Sequence, residues 1–288
     1  MSTFSLVIPT YNGERYMEHA ILSGLNQIRP FDEIILSDDN STDSTLKIAD
    51  KYSNYIRIHQ NPEGPSGFVN GWNKAIRRAK SDFITILHQD DLLDRSFLLE
   101  AEKALTVQPQ TKHLFTICNY IDDASNITGC SFQSKEKKTL IYTGLEYVKA
   151  YQKLGIPHIH RCPGVITHRD IFEQIQYNPA AGHIADDDFF YRVGKYTDGI
   201  GILFPLASYR IHAESETGSL TDVHLVRRLV DDYLFQVRQW RKDPFLDEEA
   251  FSFFVKMKKK YAKRLTGYGL KYGNAKDITK GLISYIIN

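Results

Sequence analysis

The chain has 288 residues, 42% of them hydrophobic, enough to fill the core of one large domain or two small ones. Its 36 basic and 35 acidic residues leave a formal charge of +1, so no field directs it to nucleic acid or to a strongly acidic partner. Cys118, Cys130 and Cys162 are odd in number and too far apart for a CxxC redox or zinc pattern, which fits a reducing compartment without disulfides.

The opening stretch "MSTFSLVIPTYNGERY" has no charged leader ahead of an apolar run, and no segment approaches the roughly 18 apolar residues of a spanning helix. A cytoplasmic protein is expected, at most peripheral at the inner face of a membrane. Through the first 120 residues, β-branched runs alternate with helical patterns, which predicts parallel strands joined by crossover helices. The predicted strands are "FSLVIP" (4–9), "DEIILSD" (32–38), "YIRIH" (55–59), "FITIL" (83–87) and "LFTIC" (114–118). Residues 17–27, 44–52, 69–79 and 97–107 repeat apolar side chains at helical steps.

Beyond residue 139, "GLEYVKAYQKLG" reads as a helix, "PGVITHRD" as a strand leading into a helix, and "ADDDFFYRVGKY" as a helix again. "GILFP" and "LASYRIH" predict a pair of strands. Residues 222–267 predict two long helices broken near Pro244, the second with the basic run "KMKKKYAKR".

An open α/β sheet binds ligands where the loops leave the carboxyl ends of its strands. "PTYNGE", "SDDNSTD", "NPEGPSG" and "HQDD" follow the first four strands, so four polar loops should meet on one edge. The adjacent acids Asp90 and Asp91 suit a hard divalent cation, Mg2+ or Mn2+; as an isolated pair they would read rather as a solvated turn before a helix at Ser96, and their place at the ligand edge reverses that preference. "SDDNSTD" is no calcium loop, since Asp43 and Ala49 stand where glycine and glutamate are required. It leaves Asp38 or Asp39 as ligand contacts and Ser41, Thr42 or Asp43 as helix caps. "PTYNGERY" has the single glycine Gly13, so it is neither a P-loop nor a dinucleotide turn, but it offers Tyr11 as a stacking face or a half-buried core residue. Asp186, Asp187 and Asp188 sit at a helix start, where the dipole alone would favour carboxylates.

Together, "SLVIPTYNGERY", "IILSDDNSTDST", "WNKAIRRAKSDFITILHQDD" and "IADDDFFYRV" resemble family 2 glycosyltransferases over roughly residues 4–212. The resemblance implies a GT-A type nucleotide-binding α/β fold with a mostly parallel central sheet flanked by helices, plus a C-terminal helical extension. Residues 1–221 would form the transferase domain, with a nucleotide-sugar half (1–120) and an acceptor-side half (121–221), and 222–288 the extension. It implies inverting transfer of a sugar from a nucleotide diphosphate sugar, a UDP-sugar favoured, to an acceptor hydroxyl on a glycan or lipid-linked glycan. Pro9 and Tyr11 match the segment that packs on the base, and Asp39 with Asp38 the acidic position that meets it. Asn73 matches the asparagine of the helix before the metal motif. Asp90 matches the last acid of the family's D-x-D, the metal ligand, with Asp91 following, and Asp186 the general base. His88 stands where the first acid would be, and an imidazole can bond a ribose hydroxyl or ligate a transition metal but adds no negative charge.

"YRIHAESETGS" (209–219) would then be a mobile lid, with Arg210 or His212 reaching phosphate or metal, or an ordinary surface loop. His158 and His160 offer a metal pair without a third ligand. The run 256–264 can hold a helix to anionic lipid at about 1 kcal/mol per charge, aided by "GLISYIIN", or be a solvated face. The tail can equally serve a homodimer. Competing functions are a nucleotide-sugar binding module without catalysis and a sugar-1-phosphate nucleotidyltransferase, the latter disfavoured by the first loop.

Overall fold

The computed structural model describes residues 2–132, 137–153, 162–213, 215, 222–241 and 243–287. They form two compact units, Met1–Tyr177 with Arg192–Ile211, and Asn178–Tyr191 with His212–Asn288.

In the first unit, β1 (Phe4–Thr10), α1 (Met17–Leu25), β2 (Glu33–Asp38), α2 (Thr45–Asp50), β3 (Arg57–Gln60), α3 (Phe68–Arg78) and β4 (Phe83–Ile86) alternate as the sequence pattern predicts. β5 (Leu92–Leu93), α4 (Phe97–Val107), β6 (His113–Ile121), β7 (Ile127–Cys130), β8 (Thr139–Tyr142), α5 (Gly144–Lys153), β9 (Val165–His168) and α6 (Arg169–Gln174) follow, and β10 (Gly199–Arg210) completes the unit after α7 (Ala185–Val193), most of which belongs to the second unit. The sheet runs β3-β2-β1-β4-β9-β6-β10-β5. Its first four strands are parallel. All seven residues of β1 are buried, as a strand covered on both faces requires. Phe4, Leu6 and Ile8 pack with Met17 and Ile21 of α1, Leu36 of β2 and Leu98 of α4. Pro9 breaks no rung of this central strand. The Val7 carbonyl bonds Leu87 N–H toward β4, and Pro9 faces the same side beyond the last β1–β4 pair.

β9 enters antiparallel between β4 and β6. The predicted strand pair "GILFP" and "LASYRIH" is instead the single strand β10, because Pro205 sits at a bulge, where the register against β6 shifts. β10 runs parallel to β6 and antiparallel to β5 and β8.

His113 at the start of β6 is fully buried, bonded 2.9 Å from Thr167 Oγ1 and 2.9 Å from the Tyr147 hydroxyl. Burial pushes its imidazole down to about 3. The folded His113 stays neutral while the unfolded one takes a proton below its ordinary value, so its contribution to stability falls with pH from about 6.5 toward about 3. Denaturant unfolding across that window is expected to show a slope up to about 1.4 kcal/mol per pH unit steeper than that of His113→Gln. Parallel pH profiles would refute the assignment.

In the second unit, α8 (Asp222–Trp240), α9 (Glu248–Tyr272) and α10 (Ala275–Ile286) follow one another. α8 and α9 pack through Val226, Val230, Tyr233, Met257 and Leu265, with Tyr233 stacked on Tyr261. Asp247 caps α9 by accepting from Ala250 N–H, Gly273 ends it in the left-handed conformation, and Asn274 caps α10. The sequence pattern predicts two helices in the tail; α10 is a third, crossing α9 where Gly281 lies close over Ala262 and Thr266. No described helix is long and apolar enough to cross a membrane.

Candidate functional site

The four loops expected on one sheet edge are laced together by side chains. Gln89 Oε1 accepts from Thr10 Oγ1 at 2.6 Å and Tyr11 N–H at 2.9 Å, while its Nε2 donates to the Tyr11 carbonyl at 3.1 Å. That clasp leaves the Tyr11 ring 44% exposed beyond the strand end. Gly13 leaves room for it, since an added Cβ would lie 2.4 Å from Gln89 Oε1 and push the clasp aside. Asn12 N–H donates to Ser41 Oγ, and Thr42 N–H to Asn12 Oδ1, joining the first loop to the second.

Asp38 is fully buried and builds its own turn, accepting from the N–H groups of Asn40 and Ser41 and from the Ser41 hydroxyl. Asp39 reaches the third loop, accepting 2.7 Å from Asn61 Nδ2, 2.5 Å from Ser66 N–H and 2.9 Å from the Ser66 hydroxyl, with Lys74 Nζ at 3.6 Å. Burial pushes the Asp39 carboxyl up, but these bonds and the Lys74 charge outweigh it and hold the group below the usual carboxylate value. Asn73 is buried and bound on both sides of its amide to the backbone of Tyr177, at 2.8 and 3.1 Å.

His88, Asp90 and Asp91 form the turn after β4, closed by Asp91 N–H on the His88 carbonyl at 3.2 Å. One candidate ligand atom from each lies within 4.8 Å of the other two. The His88 ring stacks on Trp72, 4.9 Å between centroids, and Trp72 meets Tyr177 edge-on. His88 Nδ1 is 3.8 Å from Asp91 Oδ2, while its Nε2 is buried without a hydrogen-bond partner. Burial pushes the imidazole down, against the pull of the Asp90 charge. Two carboxylates and a neutral nitrogen donor fit a divalent cation, and the missing partner on Nε2 is what a ligand position would leave.

Arg210 does not reach outward to phosphate. Its side chain is buried and its donors go to protein: Nε to the Asp90 carbonyl at 2.8 Å, one terminal nitrogen to the Asp122 carbonyl at 2.6 Å, the other to Ser125 Oγ at 3.0 Å. Its backbone N–H holds Asp91 Oδ1 at 2.8 Å, and its guanidinium covers the Tyr16 ring at 4.5 Å. The turn after β4, the β6–β7 connection and Tyr16 just before α1 all converge on it. Sequence reasoning missed this role, along with Trp72, Lys74 and Gln89. The Gln between His88 and Asp90 was the one available signal, an amide adjacent to the acids.

Asp186 lies in the second unit at the start of α7, partly exposed, its Oδ1 accepting Asp187 N–H at 2.9 Å. Asp187 and Asp188 are buried, and Asp188 accepts from Gln236 Nε2 at 2.9 Å. His212 is partly exposed in the same unit. His158, His160 and residues 214 and 216–219 of the expected lid lie outside the described residues.

A family model described as Glycosyl transferase family 2 matches residues 5–175. Poly(ribitol-phosphate) beta-N-acetylglucosaminyltransferase TarS of Staphylococcus aureus is 32% identical over 105 residues, 35% of this chain and 18% of its own length. The chain therefore matches less than a fifth of that relative. The crystal structure of S. aureus TarS 1-349 with UDP-GlcNAc superposes with a TM-score of 0.60 at 17% identity, over 98% of this chain and 89% of the other. The mannosyltransferase PcManGT from Pyrobaculum calidifontis, with GDP-Man and Mn2+, gives 0.60 at 15% identity, over 96% and 78%. Both show the GT-A fold, with its helices after the sheet, for this chain.

Proposed function

The chain belongs to glycosyl transferase family 2 and is a glycosyltransferase, and from that premise we propose that it moves a sugar from a nucleotide diphosphate sugar, a UDP-sugar first, to an acceptor hydroxyl with inversion at the anomeric carbon. The product is a surface polysaccharide or lipid-linked oligosaccharide; the polymer named in the TarS relative and the donors named in the two solved structures support this. Residues 1–221 carry the transfer and 222–288 extend it. The observation that carries the reading is the turn after β4, which gathers His88, Asp90 and Asp91 on the edge that also presents Tyr11 and Asp39.

Asp90 is the principal metal ligand, Asp91 adds its charge while anchored to Arg210 N–H, and His88 supplies a nitrogen donor that favours Mn2+ over Mg2+. A bound cation would offset the charge developing on the diphosphate leaving group. Pro9 and Tyr11 place the base, Asp39 meets it with Asp38 bracing the turn behind, and Asn73 braces the aromatic shelf through Tyr177. Asp186 takes the proton from the attacking hydroxyl.

Calorimetric titration with UDP tests the site. Binding is expected to strengthen at least about tenfold with Mn2+, and Asp90→Asn to remove that gain while leaving metal-free binding in place. UDP, dTDP and GDP all failing to bind in the presence of Mn2+ would overturn the reading.

A further inference from the structure

Helix α10 is assembled inside out. The side chains it buries are Asp277, Gly281 and Ser284, one polar and small stripe at helical spacing. Four of its large apolar residues face away: Leu282, Ile283, Tyr285 and Ile286 are between 45% and 74% exposed, while Ile278 packs against Gly269 of α9. The inner stripe is well satisfied. Asp277 takes both forks of the Arg227 guanidinium at 2.6 Å, Gly281 allows close approach to α9, and the buried Lys258 ammonium donates to the Ile287 carbonyl at the end of the helix. The orientation is thus fixed by specific bonds, and the outward apolar row is a consequence of it. Leaving such a row in water forgoes the gain that burying each large apolar side chain would bring.

The charges around the row say what covers it. Between residues 250 and 287 the only acid in the sequence is Asp277, already bound by Arg227. Lys256, Lys260, Lys263 and Lys271 of α9 and Lys276 of α10 are exposed. Lys259 extends over the Tyr285 ring at 5.6 Å, beside the apolar row, with its ammonium available to a polar layer above. An apolar helix face flanked by lysines, with aromatic rings at its margin, is the pattern of a helix lying in a bilayer interface. Two copies of this face would bring like charges together.

We propose that α10 is a peripheral membrane anchor, its Leu282, Ile283 and Ile286 entering the acyl boundary of an anionic bilayer while the α9 lysines meet lipid phosphates. The sequence pattern placed lipid contact in the run 256–264, aided by "GLISYIIN"; of that run Lys258 is turned inward, and the apolar segment lies on α10, a helix the pattern did not predict.

The test is co-sedimentation of the full chain with vesicles of phosphatidylcholine alone and of phosphatidylcholine mixed with phosphatidylglycerol. Binding to the mixed vesicles is expected, with loss of roughly fivefold per lysine in Lys259→Gln and Lys263→Gln and further loss in high salt. Ile283→Asn combined with Ile286→Asn is expected to lower partitioning at least about tenfold with unchanged circular dichroism, both sites being exposed. Equal partitioning of that variant and the parent would overturn the proposal. So would a concentration-dependent dimer in sedimentation that the same variant abolishes. No donor or acceptor enters either measurement, so the outcome stands apart from the catalytic reading.

Discussion

Replacing Asp186 with asparagine is expected to lower turnover by roughly 100- to 10,000-fold, the range of a lost general base, while donor affinity changes by no more than about twofold. Asparagine keeps the size of the side chain and the bond to Asp187 N–H, so the helix start should survive. Among the three acids of α7, Asp186 retains solvent access, whereas Asp187 and Asp188 are buried and Asp188 is held by Gln236. Asp188→Asn should therefore show itself in stability more than in rate. The measurement is nucleotide release against pH for Asp186→Asn, Asp187→Asn and Asp188→Asn in parallel. The rising limb of the profile should vanish in the first; a profile of full height there, or its loss in Asp187→Asn instead, removes Asp186 from the mechanism.

The other large effect is expected at Arg210, through structure rather than chemistry. Arg210→Ala leaves the carbonyls of Asp90 and Asp122 without their donor and uncovers the Tyr16 ring. Each orphaned carbonyl costs about 1–3 kcal/mol, so a total of roughly 3–5 kcal/mol and a fall in Tm on the order of 10 °C follow. Arg210→Lys keeps one positive charge but cannot reach three acceptors, and should recover only part of the loss. Tyr16 gives an independent readout. Burial first, and then its bond to Asp123, push its hydroxyl up to about 12 while the Arg15 and Arg210 charges pull it down, so its spectroscopic titration should move once Arg210 is gone. An Arg210→Ala variant as stable as the parent would show that the strut is redundant.

What the sequence made legible was short in range. β1 to β4 and the loops after them follow from alternating patterns within about ten residues, and so does the acidic turn, since Asp90 and Asp91 directly follow an apolar strand. What escaped was long in range or ran against pattern. Arg210 meets Asp91 across 119 positions and Asp90 across 120, and no local period encodes that. Pro205 reads as a break because proline usually stops a strand, and only the bulge against β6 accommodates it. α10 hid because its buried face is polar, so hydrophobic periodicity points to the wrong side of it; the dipeptide Gly273-Asn274, a stop followed by a cap, was the signal available.

The placement of β9 also dictates an order of assembly. β4 is finished at Ile86, yet the strand that covers its open side begins only at Val165. At synthesis rates of about 5–20 residues per second, the nascent chain carries that edge for roughly 4 to 16 s. During that time "FITI" offers unpaired backbone beside the apolar side chains of Phe83, Ile84 and Ile86, the surface on which another chain can template. Contacts that close the sheet are of high sequence separation, so the parallel half is in place first and waits for an antiparallel strand to lock it.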